Sequence, residues 1–306
     1  MTEAAATPGA VAFIGLGMMG GPMSARLAAA GFALRGADPV AAARDALAAA
    51  GGEAFGTARE AARGASILIA MLPDGRIVRE ALLGEEGAAA SLAPNALVID
   101  MSSSAPMETR GLAEDLSARG LRLIDAPVSG GVRRARDGTL AIMAGGDARD
   151  IESARPLLSA MGGTIVHTGL IGSGHAVKAL NNYVSAAGLA AACEAVLVAE
   201  RFGIDPAVVV DVLNISTGKN NSTELKMKPF ILSGSFASGF AMALMAKDLR
   251  AAADLARALG VGERGTGEAA AMWTEASQAL GRNADHTEIL RFLASAARRV
   301  ATGGGA

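Results

Sequence analysis

The stretch Ala10 to Gly20, AVAFIGLGMMG, decides the fold of this chain of 306 residues. It opens with an apolar run of strand length, continues with glycines at 15, 17 and 20, and leads into a helical pattern through Ala30. Strand, tight glycine turn and helix in this order are typical of a dinucleotide-binding unit. The glycines permit the turn and let the backbone approach a pyrophosphate, which binds at the positive end of the following helix.

Further apolar runs of strand length alternate with helical patterns as far as residue 171. This alternation predicts an α/β fold, a Rossmann-type doubly wound and mostly parallel sheet. The predicted strands are Phe32 to Ala37, Ser66 to Met71, Ala96 to Met101, Leu121 to Ala126, Thr139 to Ala144 and Thr164 to His167.

The pattern changes at Gly172 to Asn182, GSGHAVKALNN, and is helical from there on. We therefore expect two domains, a dinucleotide-binding domain over 1–171 and an all-helical substrate and oligomerisation domain over 172–306. A long interdomain helix should join them, buried for most of its length because Tyr183 to Cys193 is almost wholly apolar. The glycine-rich end, Thr302 to Ala306, is predicted to be disordered.

Lys178 lies on a polar face of this helix, together with His175, Asn182 and Ser185. One interpretation is structural: a lysine that extends towards solvent, with asparagines that bind neighbouring backbone. The other is a proton-transferring lysine, whose pKa falls through partial desolvation or a nearby cation. On the helix alone the structural interpretation is favoured, and the rest of the chain has to decide between the two.

Asp38 follows the second predicted strand, where an acidic residue can accept hydrogen bonds from ribose hydroxyls and repel a 2′-phosphate. NAD is therefore expected in preference to NADP. The alternative is an ordinary Asp-Pro turn with Pro39, and the nearby Arg35 leaves NADP open.

Polar or glycine-rich loops also follow three other strands, at Leu72 to Gly75, Ser102 to Ser104 and Ser129 to Gly131. In a parallel sheet such loops line the ligand crevice. Successive glycines after a strand expose N–H groups suited to a carboxylate. For the serines helix capping is an equal alternative, and for the arginines at 133, 134 and 136 a solvated helix face is favoured.

Composition excludes several classes of partner. The net charge is −2, without a basic patch, so nucleic acid and membrane surfaces are not expected as partners. One cysteine, Cys193, excludes an intrachain disulfide and indicates a reducing compartment. No export signal is recognised at the amino end, and a cytoplasmic location is expected.

Four motifs together resemble the β-hydroxyacid dehydrogenases, the family that includes 3-hydroxyisobutyrate dehydrogenase. They span nearly the whole chain in the family's order. The motifs are FIGLGMMGGPM (Phe13 to Met23), DAPVSGGVRRARDGTL (Asp125 to Leu140), GSGHAVKALNN (Gly172 to Asn182) and AKDL (Ala246 to Leu249).

This resemblance implies an NAD(P)-dependent enzyme that transfers hydride between nicotinamide and a small, carboxylate-bearing β-hydroxy acid, without a metal. Lys178 would be the general acid/base, and Ser129, Gly130, Gly131 and Asn182 would bind the substrate. The resemblance also implies a homodimer or homotetramer. The cofactor would be contacted by Gly15, Leu16, Gly17, Met18, Met19, Gly20, Asp38, Leu72, Pro73, Ser103 and Lys247.

Several alternatives stay open at this point. The same mechanism could act on tartronate semialdehyde, threonate, or 4-hydroxybutyrate and succinic semialdehyde. An imine reductase is disfavoured because those relatives usually lack a lysine at the position of Lys178. A noncatalytic dinucleotide-binding module would also be expected to lose that lysine.

Overall fold

The computed structural model describes residues 9 to 295. The predicted disorder at Thr302 to Ala306 lies outside these residues. The chain divides after Lys178 into two compact units.

The first unit alternates strands and helices, as the sequence predicts. Its strands are β1 (Val11–Ile14), β2 (Leu34–Ala37), β3 (Glu53–Phe55), β4 (Ile67–Ala70), β5 (Leu97–Asp100), β6 (Arg122–Asp125), β7 (Val128–Ser129), β8 (Leu140–Gly145) and β9 (Gly162–Gly169). Its helices are α1 (Gly20–Ala29), α2 (Ala41–Ala49), α3 (Ala58–Ala62), α4 (Gly75–Leu83), α5 (Pro106–Ser117), α6 (Gly131–Asp137) and α7 (Ala148–Met161).

The strands form one sheet in the order β3-β2-β1-β4-β5-β6-β8-β7, with β9 beside β8. The pairs from β3 to β6 are parallel, and β8 is antiparallel to β6 and β7. After β1 the chain adds strands on one side and then returns to add β4 on the other. The loops after β1 and β4 therefore lie at a topological switch point, where open parallel sheets bind ligands.

The central strands are covered on both faces, which explains their continuous apolar runs. Phe13, Ile69 and Ile99 pack on one side of the sheet, and Ala12, Leu68 and Val98 on the other. The predicted α/β, doubly wound and mostly parallel sheet is confirmed, as is the all-helical region that follows it.

The second unit is helical within its described residues. It contains most of α8 (Ser173–Phe202), then α9 (Pro206–Ile215), α10 (Asn221–Leu225), a π-helix (Met227–Leu232), α11 (Met242–Ala258) and α12 (Arg264–Leu280). A 3₁₀ turn (His286–Glu288) precedes a last helical stretch at 289–295. Its core surrounds Trp273, with Leu189, Cys193 and Leu249.

Helix α8 corrects one expectation from the sequence. It is not buried for most of its length in the single chain, because Val184, Val198 and Phe202 are 67%, 70% and 84% exposed. Its length and apolar composition would also suit a membrane span, but core helices of soluble proteins pass the same test. The opposite face of α8, with Ala186, Leu189 and Cys193, packs in the core of the second unit.

Candidate active site

The glycine turn after β1 shows why each of its glycines is needed. Gly15 has φ of 94°, and a Cβ there would lie 2.3 Å from Met71 O. A Cβ on Gly20 would lie 1.9 Å from Gly15 O, so the first turn of α1 packs directly on the strand end. A Cβ on Gly17 would meet nothing within 4 Å. Packing thus requires glycine at positions 15 and 20. Gly17 leaves open space beside the turn, here called the glycine cradle, which fits a dinucleotide pyrophosphate.

The side chain of Asp38 is tied to this turn. Its carboxylate accepts hydrogen bonds from the N–H groups of Leu16 and Val40, both at 2.8 Å. Asp38 is 9% exposed, at the carboxyl end of β2. The carboxylate is therefore held at the edge of the sheet where the ribose of a dinucleotide would bind.

The Arg35 guanidinium is engaged elsewhere. It donates to the carbonyl oxygens of Glu60 and Arg63 at 2.9 and 3.2 Å, and it lies 4.7 Å from the centroid of the Phe55 ring. These contacts make Arg35 a structural residue of the β2–β3 edge.

The loops after β4 and β5 are joined to each other and to the glycine turn. Leu72 N donates to Ser102 Oγ at 2.9 Å, and a Cβ on Gly15 would lie 2.8 Å from Leu72 Cδ2. Leu72, the exposed Pro73 and the partly exposed Ser103 all follow strands at the carboxyl edge. The N-cap of α5 is Ala105, which has no side-chain oxygen to cap the helix.

Ser129, Gly130 and Gly131 lie where β7 meets α6. The φ angles of Gly130 and Gly131 are 132° and 68°, a backbone that a residue with a side chain would adopt only with strain. Both glycines are exposed and Ser129 is half-buried, so their N–H and hydroxyl groups lie near the surface. Arg133, Arg134 and Arg136 are exposed, in agreement with a solvated helix face.

A buried polar cluster that the sequence did not predict holds the start of α8. Asp125 is fully buried, and its carboxylate accepts from Gly172 N and His175 N, each at 2.7 Å. These are N-terminal N–H groups of α8 that would otherwise lack an acceptor. Burial raises the pKa of Asp125, while the hydrogen bonds from His175 and Gly172 act in the opposite direction.

The His175 side chain completes this cluster. Nδ1 lies 2.7 Å from Thr109 Oγ1, and Nε2 lies 3.2 Å from Ser102 O. The ring lies between two carboxylates, 3.8 Å from Asp100 and 3.7 Å from Asp125. One feature of the sequence could have indicated this buried cluster. Strands β5 and β6 both end in Asp, and these residues, Asp100 and Asp125, are neighbours in the sheet.

Lys178 is half-buried, one turn of α8 beyond His175, and Asn182 is one turn further. In the second unit, Asn182 Nδ2 donates to Asp248 Oδ2 at 2.6 Å, and Lys247 Nζ lies 3.2 Å from Asp248 Oδ1. Asp248 thus connects two of the predicted site residues, Asn182 and Lys247. Because an ionised carboxylate only accepts hydrogen bonds, the NH2 end of the Asn182 amide must face Asp248.

The structure brings some of the predicted site residues together within each unit. The glycine turn, Asp38, Leu72, Pro73 and Ser103 share one edge of the sheet. Asn182 and Lys247 meet through Asp248. Within residues 9 to 295, no group of three or more His, Cys, Asp or Glu side chains is arranged to hold a metal ion.

Comparison with known proteins covers both units. Residues 10–169 match the family described as the NAD binding domain of 6-phosphogluconate dehydrogenase. Residues 172–293 match the NAD-binding domain of NADP-dependent 3-hydroxyisobutyrate dehydrogenase.

Whole-chain relatives agree with these matches. The chain is 40% identical to NAD-dependent L-serine dehydrogenase of Pseudomonas aeruginosa, over 81% of this chain and 85% of that protein. It is 40% identical to 3-hydroxyisobutyrate dehydrogenase of the same organism, over 78% and 82%. The solved structure of 3-hydroxyisobutyrate dehydrogenase of Mycobacterium tuberculosis with L-serine is 36% identical, with a TM-score of 0.86 over 94% of this chain and 99% of that one.

The glycine cradle, the all-helical second unit and these matches have one explanation: the chain belongs to the β-hydroxyacid dehydrogenase family and is an oxidoreductase of the 3-hydroxyisobutyrate dehydrogenase type that uses a nicotinamide cofactor.

Proposed function

We propose that this protein oxidises a small β-hydroxy acid of the 3-hydroxyisobutyrate type with NAD, and that Lys178 is its general acid/base. The observation that carries the proposal is the hydrogen bond of 2.6 Å between Asn182 Nδ2 and Asp248. Asn181 Nδ2 donates to Asn182 Oδ1 at 3.1 Å, so the amide is held at both ends. Asn182 is therefore oriented one helix turn from Lys178, and its second amide hydrogen can donate to the reacting oxygen.

In this mechanism Lys178 accepts the hydroxyl proton during oxidation and returns it to the carbonyl oxygen during reduction. The nicotinamide supplies or accepts the hydride when it is bound. Asn182 orients the oxygen between the lysine and the substrate carbon. The Asp125 carboxylate, through Gly172 N and His175 N, holds the first turn of the helix that carries Lys178.

The substrate carboxylate would bind at Ser129, Gly130 and Gly131. Successive glycine N–H groups after a strand form a concave anion site, and the Ser129 hydroxyl adds a donor. A small residue at 130 is also required by packing, because a Cβ there would lie 2.5 Å from the Arg134 side chain. The carboxylate and the reacting oxygen would then fix two points of the substrate.

A preference for NAD over NADP is supported by two contacts. Asp38 is buried against the glycine turn, where its negative charge would repel a 2′-phosphate. Arg35 is engaged by Glu60 O, Arg63 O and Phe55, so it is not directed at such a phosphate.

A homo-oligomer is part of the same proposal. Apolar side chains are exposed at Leu180, Val184, Val198 and Phe202 of α8 and at Val208, Val212 and Ile215 of α9. Large exposed apolar patches are typical of protein interfaces. A second copy of this chain is the partner we propose, since an isologous contact lets the same stripe bury itself. The family's tendency to form dimers and tetramers points the same way.

We propose a cytoplasmic location as well. The single cysteine, Cys193, is a free buried thiol, as suits a reducing compartment.

The test is NAD(P)H formation at alkaline pH with a panel of acids: 3-hydroxyisobutyrate, L-serine, 3-hydroxypropionate, glycerate, threonate and 4-hydroxybutyrate. L-Serine belongs in the panel because a relative is named for it. We expect turnover of a β-hydroxy acid, with NAD preferred to NADP. Turnover of an imine instead, or binding of NAD with no turnover of any acid, would contradict the proposal.

A further inference from the structure

The ring of His175 is a buried polar group of which the mechanism above uses only the backbone N–H. The residue is 1% exposed and lies at the start of α8, one turn before Lys178. Both residues belong to the first unit. A buried polar ring loses its hydration, and an apolar side chain at this position would not carry that cost. What the ring contributes must therefore lie in the groups that it joins.

Each nitrogen of the ring binds a different element of the first unit. Nε2 lies 3.2 Å from Ser102 O, and because a carbonyl oxygen only accepts hydrogen bonds, Nε2 is the donor. Nδ1 lies 2.7 Å from Thr109 Oγ1, on α5. The ring thus joins the start of α8 to the loop after β5 and to α5.

The loop after β5 is one of the two loops, after β4 and after β5, that we assign to the cofactor and call the cofactor loops. Ser102 Oγ accepts a hydrogen bond from Leu72 N at 2.9 Å, which ties the two loops together. Ser102 N donates to the Asp100 carboxylate at 2.9 Å. Asp100 therefore holds this loop from the sheet, and His175 holds it from α8. Ser103, a predicted cofactor contact, is the next residue of the loop.

The surroundings of the ring fix its orientation. The carboxylates of Asp100 and Asp125 lie 3.8 Å from Nε2 and 3.7 Å from Nδ1, and both are fully buried. A rotation of the ring would leave the buried Ser102 O and Thr109 Oγ1 without this partner, which is costly. A buried polar network whose members are all bonded is rigid. The ring is enclosed and does not touch a substrate, so it can influence the reaction only through the groups that it holds.

We propose that His175 is the positioning residue of Lys178, and that its ring sets the distance between this lysine and the cofactor loops. One helix turn separates the two residues, so a displacement of the start of α8 moves the lysine with it. Misplacement of a reacting group by about 1 Å can lower a rate by about 10²-fold. The inference rests on the proposed function, in which Lys178 transfers the proton.

The test is a double-mutant cycle between His175 and Lys178, read as kcat at saturating NAD with the best acid of the panel. His175→Leu removes both hydrogen bonds of the ring, whereas His175→Gln keeps a donor and an acceptor. With Lys178 present, we expect His175→Leu to lower kcat by about tenfold or more, and His175→Gln by less than about threefold. In the Lys178→Ala background His175→Leu should cause no further loss, because no lysine is left to position.

His167→Leu is the matched control. Its ring also binds two carbonyl oxygens, of Gly146 and Gly169, but it lies on β9 and does not contact the cofactor loops. This variant should retain full kcat. An equal loss by His175→Leu in both backgrounds would show that the ring supports only the fold, and it would overturn the proposal, as would an unchanged kcat. If His175→Leu does not fold, Thr109→Val takes its place in the cycle, since it removes the hydrogen bond to Nδ1 at nearly constant volume.

Failure of the proposed function would look different. Turnover of no acid by the wild type, or an unchanged kcat in Lys178→Ala, would contradict that function, and the hold of the ring on the cofactor loops is then tested by NMR. The chain has three histidines, so their ring signals can be assigned by substitution. NAD should shift the ring signals of His175 and leave those of His167 in place. A shift would support the link between the ring and the cofactor loops, and unshifted His175 signals would overturn it.

Discussion

The carboxylate of Asp38 accepts a hydrogen bond of 2.8 Å from the backbone N–H of Leu16, in the middle of the glycine turn. One side chain thus joins the end of β2 to the loop after β1. The carboxylate that would accept hydrogen bonds from the ribose hydroxyls also holds the loop that would bind the pyrophosphate. Under the proposed function, cofactor preference and the shape of the glycine turn would therefore be linked through Asp38.

Replacing Asp38 by Ala should weaken NAD more than NADP. The loss of a ribose acceptor raises KM for NAD, while the loss of negative charge removes a repulsion from the 2′-phosphate. We expect the ratio of kcat/KM for NAD to that for NADP to fall about tenfold or more. Asp45→Ala, an exposed carboxylate on α2, is the control and should leave the ratio unchanged. An equal loss of kcat/KM with both cofactors would mean that Asp38 stabilises the glycine turn and does not set the cofactor preference.

Replacing Lys178 by Ala should remove the proton-transferring group. We expect kcat to fall by about 10²- to 10⁴-fold, a typical contribution of general acid–base catalysis. NAD affinity, measured by calorimetry, should change little. Lys219→Ala, an exposed lysine paired with Glu224, should retain full kcat. An unchanged kcat in Lys178→Ala would exclude this role.

The sequence predicts those parts of the fold that local patterns specify. Strand, glycine turn and helix at AVAFIGLGMMG are observed as β1 and α1. Helix α4 begins at Gly75 because Asp74 caps it by accepting a hydrogen bond from Ile77 N at 2.9 Å. Strand β3 is not apparent in the sequence, since its three residues are partly exposed and show no apolar run.

The remaining parts depend on contacts between residues far apart in sequence. His175 meets Thr109, Ser102 and Asp125 across separations of 66, 73 and 50 residues, and no local pattern records such contacts. The exposed face of α8 was missed for a related reason: an apolar composition does not say which protein surface covers the helix.

Replacing Val184 by Asp should shift the protein from oligomer to monomer. Val184 is 67% exposed within the apolar stripe of α8, and a buried unpaired carboxylate at an interface is strongly unfavourable. Sedimentation velocity at micromolar concentration is the measurement. Val261→Asp, a valine 62% exposed between α11 and α12, should leave the assembly intact. A monomeric wild type, or an unchanged assembly in Val184→Asp, would contradict the proposed interface.

The Cys193 thiol should be unreactive in the folded protein. It is fully buried, and burial, followed by the nearby Glu194 charge, raises its pKa to about 12. Because the thiolate is the reactive form, Ellman's reagent at pH 8 should label native protein negligibly within an hour. One thiol per chain should react in concentrated urea. Rapid labelling of the native protein would show that this part of the core opens readily.

Replacing Asp285 by Asn should destabilise the second unit in a way that depends on pH. Although burial acts to raise its pKa, hydrogen bonds from His286, Thr287 and Ser238 hold the pKa of Asp285 well below its usual 3.8. A carboxylate whose pKa is lower in the folded protein than in the unfolded chain stabilises the folded protein at pH values above the pKa of the unfolded chain. This stabilisation is lost as the pH falls from there towards the pKa of the folded state. Removal of this capping carboxylate should cost about 1 to 2 kcal/mol at pH 7.

Urea unfolding followed by the fluorescence of Trp273 measures this effect. Trp273 is the one tryptophan of the chain, and its ring stacks 6.4 Å from His286, so it reports on the second unit. The difference between wild type and Asp285→Asn should be constant between pH 7 and about 5 and should shrink as pH falls through 4. Asp254→Asn, an exposed carboxylate paired with Arg257, is the control and should cost little at any pH. A difference for Asp285→Asn that stays constant into acid would mean that the carboxylate stabilises the loop through its shape and not through its charge.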